Sequence, residues 1–272
     1  MDQYCVFGNP IEHSRSPFIH QQFAQQTQQK LNYEKKFVEL KGFPQAVKTF
    51  IAQGGKGANV TVPFKEQALQ LCDHLSESAK QAGAVNTLSF IKGEIYGDNT
   101  DGIGLVQDLL RYNISLAKSR ILLLGAGGAA KGVLLPLLAE NPANIVIANR
   151  TVSKAEQLCM QFTDKRLQSC GFDKIPQQPF NLIINATSAS LSGTFPAISP
   201  QLICEYTVCY DMVYGKELTS FLQWARIQGA EKVIDGLGML VGQAAISFNI
   251  WRNVTPDTET VIEALKADLA VA

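Results

Sequence analysis

Two short apolar stretches, residues 120–124 (Arg-Ile-Leu-Leu-Leu) and 144–148 (Asn-Ile-Val-Ile-Ala), flank a glycine-rich turn and a helical pattern, and this arrangement limits the fold more than any other feature. Continuous apolar strands are buried on both faces, as in a parallel sheet, and parallel neighbours need a crossover between them. Residues 125–138 supply the crossover: Gly125-Ala126-Gly127-Gly128-Ala129-Ala130, then an apolar helical run through Leu138. Strand, glycine turn, helix and strand in that order form a βαβ unit. In this G-x-G-x-x-A pattern Gly125 permits the tight turn, Gly127 lets a pyrophosphate approach the backbone, and Ala130 lets helix and strand pack closely. The helix start adds free N–H groups and a positive dipole end. A glycine turn that merely packs is the competing reading; the βαβ setting favours a dinucleotide.

The end of the second strand selects the cofactor. A carboxylate there would hold a ribose 2′-hydroxyl. This strand ends instead in Asn149-Arg150-Thr151, with Ser153 and Lys154 just beyond. A guanidinium carries the charge opposite to a 2′-phosphate and grips it with a fork of N–H groups. The cofactor expected is therefore NADP(H); the alternative is that Arg150 is a solvated loop residue.

The alternation continues in both directions. Upstream, strands are predicted at residues 4–8, 33–39 and 58–62, a hairpin at 87–91 and 94–96, and helices at 16–29, 44–53, 64–72 and 76–81. A helix over 103–111 leads into the βαβ unit. Beyond it, strands are predicted at 182–185, 207–211 and 232–234, and helices over 237–252 and 257–269. Alternating strands and helices imply an α/β architecture with parallel sheets. A chain of 272 residues has room for two domains, and the pattern changes after Asn99-Thr100-Asp101-Gly102.

Composition narrows the function. Lys+Arg and Asp+Glu balance at 24 each, which gives no electrostatic case for nucleic acid or an anionic membrane surface. No apolar run approaches the roughly 20 residues of a membrane span. The start, Met1-Asp2-Gln3-Tyr4, lacks the basic region of a signal peptide. The six cysteines are scattered without a C-x-x-C pair, so they read as buried or free thiols of a cytoplasmic protein. His13, His20 and His74 show no metal-ligand spacing, His20 reads as structural, and no metal is expected.

Polar candidates cluster in the first block. In Asn59-Val60-Thr61-Val62-Pro63-Phe64-Lys65, strand alternation puts Asn59 and Thr61 on one side and Val60 and Val62 on the other. With Lys65 opening the next helix, the stretch suits a small polyhydroxylated acid, or else is a polar edge strand with a surface lysine. Asp101 offers a carboxylate at the domain junction, or caps the helix beginning near Ile103. Ser14 and Ser16 bind a carboxylate beside a helix start, or Ser16 is a plain N-cap with Pro17 at the first helical position, or both hold.

These residues, taken together, resemble the shikimate dehydrogenase family along essentially the whole chain. The likeness rests on Ser14-Arg15-Ser16-Pro17, the stretch from Asn59 to Glu66, Gly83-Ala84-Val85-Asn86-Thr87, Gly97-Asp98-Asn99-Thr100-Asp101-Gly102 and Gly125-Ala126-Gly127-Gly128-Ala129. It continues through Asn149-Arg150-Thr151, Asn185-Ala186-Thr187-Ser188, Tyr210-Asp211-Met212-x-Tyr214 and Asp235-Gly236-Leu237-Gly238-Met239-Leu240-Val241-x-Gln243. The resemblance implies a substrate domain of residues 1–101 plus 237–272 and a Rossmann-like, doubly wound NADP domain of residues 102–236, with an active-site cleft between them; closure of that cleft on ligands is expected about hinges near Gly102 and Gly236. It implies Lys65 and Asp101 as the catalytic pair, and Ser14, Ser16, Asn59, Thr61, Asn86, Asp101, Tyr214 and Gln243 as substrate contacts. Residues Gly127, Gly128, Ala129, Asn149, Arg150, Thr151, Thr187, Met212, Gly236 and Met239 match the cofactor surroundings, to which the glycine turn adds Gly125 and Ala126.

Three positions depart from the family pattern. Arg15 stands where many relatives carry Lys, Ser190 where Gly is usual, and Gly215 where Pro, Asn or Gln is common. The last two leave local loop shape open. The activity implied is reversible NADPH-dependent reduction of 3-dehydroshikimate to shikimate, with no nucleic-acid or membrane partner, by a monomer or homodimer. Competing readings are an enzyme that also accepts quinate, another two-domain NADP dehydrogenase such as a folate-linked one, and a dinucleotide sensor without catalysis. The substrate-side motifs argue against the folate-linked reading, and the presence of both Lys65 and Asp101 against the sensor.

Overall fold

A computed structural model describes residues 1–271, with side chains to Ala270. The chain divides into two compact units, Met1–Gly104 with Leu240–Ala272, and Leu105–Met239.

The first unit is built on β1 (Asp2–Gly8), α1 (Ser16–Gln26), β2 (Leu31–Phe37), α2 (Phe43–Ala52), β3 (Gly55–Val60), α3 (Lys65–Leu71), β4 (His74–Leu75), α4 (Glu77–Ala82), β5 (Thr87–Ile91) and β6 (Glu94–Asp98). Its sheet has the order β2-β1-β3-β5-β6-β4. The strands β2, β1 and β3 run parallel, and β5 and β6 return antiparallel through the expected hairpin. Both faces of β1 are covered because its side chains alternate. Cys5 and Phe7 pack with Phe43, Val47 and Phe50, while Tyr4 and Val6 face Tyr33 and Trp251. Helix α5 (Asp101–Arg111) carries the chain out of this unit.

The second unit contains β7 (Arg120–Leu124), α6 (Gly128–Ala139), β8 (Asn144–Ala148), α7 (Val152–Phe162), β9 (Leu167–Cys170), β10 (Leu182–Asn185), β11 (Val208–Asp211), α8 (Ser220–Ile227) and β12 (Lys232–Ile234). Its sheet is parallel throughout, in the order β12-β11-β10-β7-β8-β9. Numbered within this unit, that is 6-5-4-1-2-3, the doubly wound dinucleotide-binding topology. Two cores sandwich it. Ile121 and Leu123 of β7 pack with α5, α6 and α7 on one face, and Leu122 and Leu124 with Phe180, Phe221 and Leu222 on the other. Burial on both faces explains why β7 reads as an unbroken apolar run. Helix α9 (Leu237–Arg252) returns the chain to the first unit, where α10 (Glu259–Val271) packs near α1 through an ion pair of Arg15 with Asp268 at 2.8 Å.

Several local expectations are corrected. The short strand β4 and the edge strand β9 carry no apolar alternation and were absent from the sequence reading. Strand β3 stops at Val60, so Thr61 and Val62 lie in the turn and do not continue its pleat; Val62–Pro63 is a cis peptide. Helix α1 begins at Ser16 itself, with Arg15 in the N-cap position and no side-chain cap. Asp101 is likewise the first residue of α5, and the Asn99 side-chain carbonyl accepts its backbone N–H at 3.2 Å.

Candidate active site

In the first unit the ends of β3, β5 and β6 and the start of α5 bring polar side chains together. Lys65 opens α3 directly after the Val62–Pro63 turn, and its Nζ lies 2.6 Å from Asp101 Oδ2. The pair is accessible, with side chains 29% and 20% exposed, so solvent or a ligand can reach it. Asp101 Oδ1 accepts from the Asn86 amide nitrogen at 2.8 Å. That nitrogen also lies 3.3 Å from Gln243 Oε1, on α9. The Asn86 side-chain oxygen is held by the Thr100 backbone N–H at 3.0 Å and the Thr87 hydroxyl at 2.8 Å. Asn86 is thus a bracket between the carboxylate and the helix that carries Gln243.

Ser14 and Ser16 stand together at the start of α1. The Ser14 hydroxyl oxygen accepts from the Ser16 N–H at 3.3 Å, and the two hydroxyl oxygens are 3.2 Å apart. Thr61 is half-buried beside Gly8, where an added Cβ would lie 2.6 Å from Thr61 Cγ2. Asn59 is buried in a hydrogen-bond network with His20, Tyr33, Thr87 and Ser247. The sequence reading missed Thr87, Thr100 and Ser247 as polar supports. Ser247 carried one usable signal, its position four residues after Gln243 on α9, where its hydroxyl donates to the Gln243 carbonyl at 3.0 Å. Burial pushes the His20 pKa down to about 3, because the charged ring has no water around it.

The second unit gathers the other candidates at the carboxyl ends of its strands. Gly125 has φ +110°, and an added Cβ would lie 3.2 Å from Thr187 Cγ2 and 3.3 Å from the Ala186 backbone. Only glycine suits that turn. At Gly127 and Gly128 an added Cβ would meet nothing within 4 Å, and Gly127 caps α6 without a side-chain acceptor. The open cradle at the start of a twelve-residue helix fits a pyrophosphate. Ala126 is half-buried and Ala129 exposed beside it. This is also the switch point of the sheet, between β7 and β10. After β8, the Asn149 amide donates to the Thr151 carbonyl at 2.8 Å, which folds the turn and leaves Arg150, Thr151, Ser153 and Lys154 exposed. Those residues fit a 2′-phosphate in charge and access.

The β10 and β11 ends carry a second bracket. Thr187 donates its N–H and hydroxyl to Asn185 Oδ1 at 3.2 and 2.7 Å. The Ser190 hydroxyl donates to Asp211 Oδ2 at 2.6 Å and accepts from the Asn185 amide at 3.1 Å. The Thr219 hydroxyl also donates to Asp211 Oδ2 at 2.6 Å. Ser190 therefore ties the loop after β10 to the buried end of β11. Gly236 lies against Met212, whose carbonyl oxygen would be 2.2 Å from an added Cβ. Met212, Tyr214 and Met239 are half-buried here, and Gly215 is exposed with an ordinary 3.5 Å contact for an added Cβ. Tyr214, expected among the substrate contacts, thus belongs to the second unit, while Ser14, Ser16, Asn59, Thr61, Asn86 and Gln243 share the first.

Residues 6–88 match the family described as Shikimate dehydrogenase substrate binding domain, residues 106–192 that described as Shikimate / quinate 5-dehydrogenase, and residues 236–266 that described as Shikimate 5'-dehydrogenase C-terminal domain. A curated relative from Colwellia psychrerythraea, Shikimate dehydrogenase (NADP(+)), is 62% identical over 268 residues, covering 98% of both chains. The chain belongs to the shikimate dehydrogenase family. Solved structures agree with that placement. An Ael1 enzyme from Pseudomonas putida superposes with a TM-score of 0.94 at 44% identity, covering 97% of this chain and 98% of that one. Shikimate 5-dehydrogenase from Thermus thermophilus, solved in complex with NADP(H) and shikimate, gives a TM-score of 0.89 at 31% identity over 99% of this chain and 100% of that one. The two units carry different chemistry, an amide bracket beside Lys65–Asp101 in one and an open glycine turn at the start of α6 with an exposed Arg150 after β8 in the other. Among the described residues no helix is long and apolar enough to cross a membrane, and no group of His, Cys, Asp and Glu is arranged for a metal.

Proposed function

We propose that this chain catalyses the reversible NADPH-dependent reduction of 3-dehydroshikimate to shikimate, with Lys65 and Asp101 as its catalytic pair. The observation that carries the reading is the accessible Lys65–Asp101 contact at 2.6 Å, braced by Asn86 in a shikimate dehydrogenase chain. When bound, NADPH supplies a hydride for the ketone carbon. The chain's own residues handle what that transfer leaves behind. As negative charge develops on the carbonyl oxygen, Lys65 Nζ donates a hydrogen bond to it and then gives up a proton, completing the new hydroxyl. In the oxidative direction Lys65 takes that proton back. Asp101 holds the lysine in line, and Asn86 holds Asp101. Ser14 and Ser16, at the start of α1, suit the substrate carboxylate, and Thr61, Asn86 and Gln243 its hydroxyls, to which the family resemblance adds Tyr214.

Residues 125–129 would hold the pyrophosphate, Asn149 to Thr151 with Ser153 and Lys154 the 2′-phosphate, and Thr187, Met212, Gly236 and Met239 the nicotinamide side. The domain roles follow: the first unit, Met1–Gly104 with Leu240–Ala272, binds substrate, and the second, Leu105–Met239, binds NADP. The six free cysteines accord with a cytoplasmic enzyme, and a monomer or a homodimer would serve this chemistry. The test is NADPH formation at 340 nm with shikimate or quinate and NADP or NAD. Turnover with shikimate and NADP alone supports the proposal. Comparable rates with quinate and NAD would favour the broader enzyme that the family description over residues 106–192 also names. Cofactor binding without turnover would sink the catalytic reading.

A further inference from the structure

We infer that His20 is a positioning residue for the Lys65–Asp101 pair, acting through a hydrogen-bond chain of fixed direction from His20 through Asn59 and Asn86 to Asp101. The inference rests on reading Lys65 and Asp101 as the catalytic pair.

The direction of the chain follows from one group that has no choice. The Asn86 backbone carbonyl can only accept, and it lies 3.1 Å from the Asn59 amide nitrogen. The same nitrogen is 3.0 Å from the Ser247 hydroxyl oxygen. The Asn59 carbonyl oxygen therefore faces the other way, where it lies 2.7 Å from the Tyr33 hydroxyl and 3.1 Å from His20 Nε2. An amide oxygen cannot donate, so Nε2 must carry the ring hydrogen and Nδ1 must be a bare lone pair. Nδ1 is indeed buried without a hydrogen-bond partner among the described residues.

The surroundings keep the ring in that state. His20 is fully buried, stacked on Tyr33 with centroids 4.2 Å apart and 8° between planes, and lies close to Phe23, Phe248 and Trp251. Desolvation holds its pKa down to about 3, so the ring is neutral. A phenylalanine would fill this aromatic nest without leaving a polar atom unpaired. Packing alone does not account for an imidazole here; the Nε2 hydrogen does.

That hydrogen matters because it holds the far end of the Asn59 amide in the orientation that the Asn86 carbonyl requires at the near end. The Asn86 carbonyl then receives two donors from the β3 end, Asn59 Nδ2 and the Val60 N–H at 2.8 Å. With its backbone held there, Asn86 presents its amide nitrogen 2.8 Å from Asp101 Oδ1. Both lone pairs and both N–H groups of Asn59 are used inside the protein, and the residue is 6% exposed. Asn59 thus supports the pair rather than touching substrate.

The experiment compares full-length His20→Phe, His20→Gln, Tyr33→Phe and Lys65→Ala with the parent in steady-state shikimate oxidation by NADP, with melting temperatures alongside. Phe keeps the ring without a donor; Gln loses the stack but brings an amide N–H to the same region. Positioning predicts that His20→Phe lowers kcat about tenfold or more, as small misplacements of reacting groups do, with KM for NADP within about twofold. It also predicts that His20→Gln keeps more activity than His20→Phe even if it melts lower. Tyr33→Phe removes one oxygen, which is the other donor to Asn59 and a neighbour of Ser16, so a fall in kcat with KM for shikimate unchanged carries the test should His20→Phe fail to fold. Parent-like kcat in His20→Phe, or in Tyr33→Phe where His20→Phe does not fold, overturns the inference, as does activity that merely follows melting temperature. If Lys65→Ala turns over normally, the catalytic-pair reading itself falls, and the inference with it; an inactive Lys65→Ala beside an unaffected His20→Phe overturns the inference alone.

Discussion

Lys65 and Asp101 are 36 positions apart and meet at 2.6 Å because each is the first residue of a helix, α3 and α5. General acid–base groups contribute about 10²–10⁴-fold, so Lys65→Ala should lower kcat by that order with a much smaller change in KM. A rise in KM alone would make the lysine a binding residue only. Arg150 is exposed, and its proposed partner is a phosphate. Losing a charge-assisted hydrogen bond costs about 1.5–3 kcal/mol, so Arg150→Ala should weaken NADP by roughly 10- to 100-fold and leave NAD nearly unaffected. Titration calorimetry with both cofactors reads this directly. His20 gives a stability prediction as well. Its folded pKa, about 3, lies below the ordinary 6.5, so the unfolded chain binds the proton more readily. The stability from keeping the ring neutral is present above pH 6.5 and is lost as pH falls toward 3. Relative to His20→Phe, the parent should lose up to about 1.4 kcal/mol per pH unit in that window, measured by urea unfolding.

At the scale of elements, the β7–α6 turn and the loop after β10 do different work. The turn depends on Gly125, whose φ of +110° and 3.2 Å clearance from Thr187 exclude a side chain. Gly125→Ala should destabilise the second unit by more than about 1 kcal/mol and weaken NADP, seen as a lower melting temperature and a higher Kd. The loop depends on a hydroxyl. Ser190, a departure from the pattern of the family that the sequence resembles, donates to Asp211 at 2.6 Å and accepts from Asn185. Ser190→Gly removes that tie and frees the backbone, so it should raise KM for NADP several-fold, about the effect of one hydrogen bond near 1 kcal/mol, and leave KM for shikimate nearly unchanged. Gly215, the other departure that leaves loop shape open, makes no comparable contact.

At the scale of the whole molecule, two units carry separate sheets and separate cores. The second is continuous in sequence, whereas the first is assembled from both ends of the chain. A fragment of residues 101–239, which retains all of α5, should therefore fold alone and bind NADP without shikimate turnover. Circular dichroism and calorimetry on the fragment check this, and an unfolded fragment would show that the second unit needs the rest of the chain.

The α/β class, the βαβ unit and the bounds of β7, β8 and β10 follow from local pattern, because a strand buried on both faces is apolar along its length and a tight phosphate turn favours glycine, whereas the doubly wound order is what the family resemblance implies. The choice of NADP is equally local, resting on one strand end without a carboxylate and with Arg150. Strands β4, two residues long, and β9, Leu167–Cys170, escaped that reading because neither carries an apolar run. The polar network escaped it for a different reason. Asn59 and His20 look like isolated polar residues in sequence, and only the packing of α1, β3, β5 and α9 turns them into one hydrogen-bond chain. Hydrogen-bond direction depends on partners far away in sequence, so the tautomer of His20 and the place of Asn59 were decided by the tertiary structure alone.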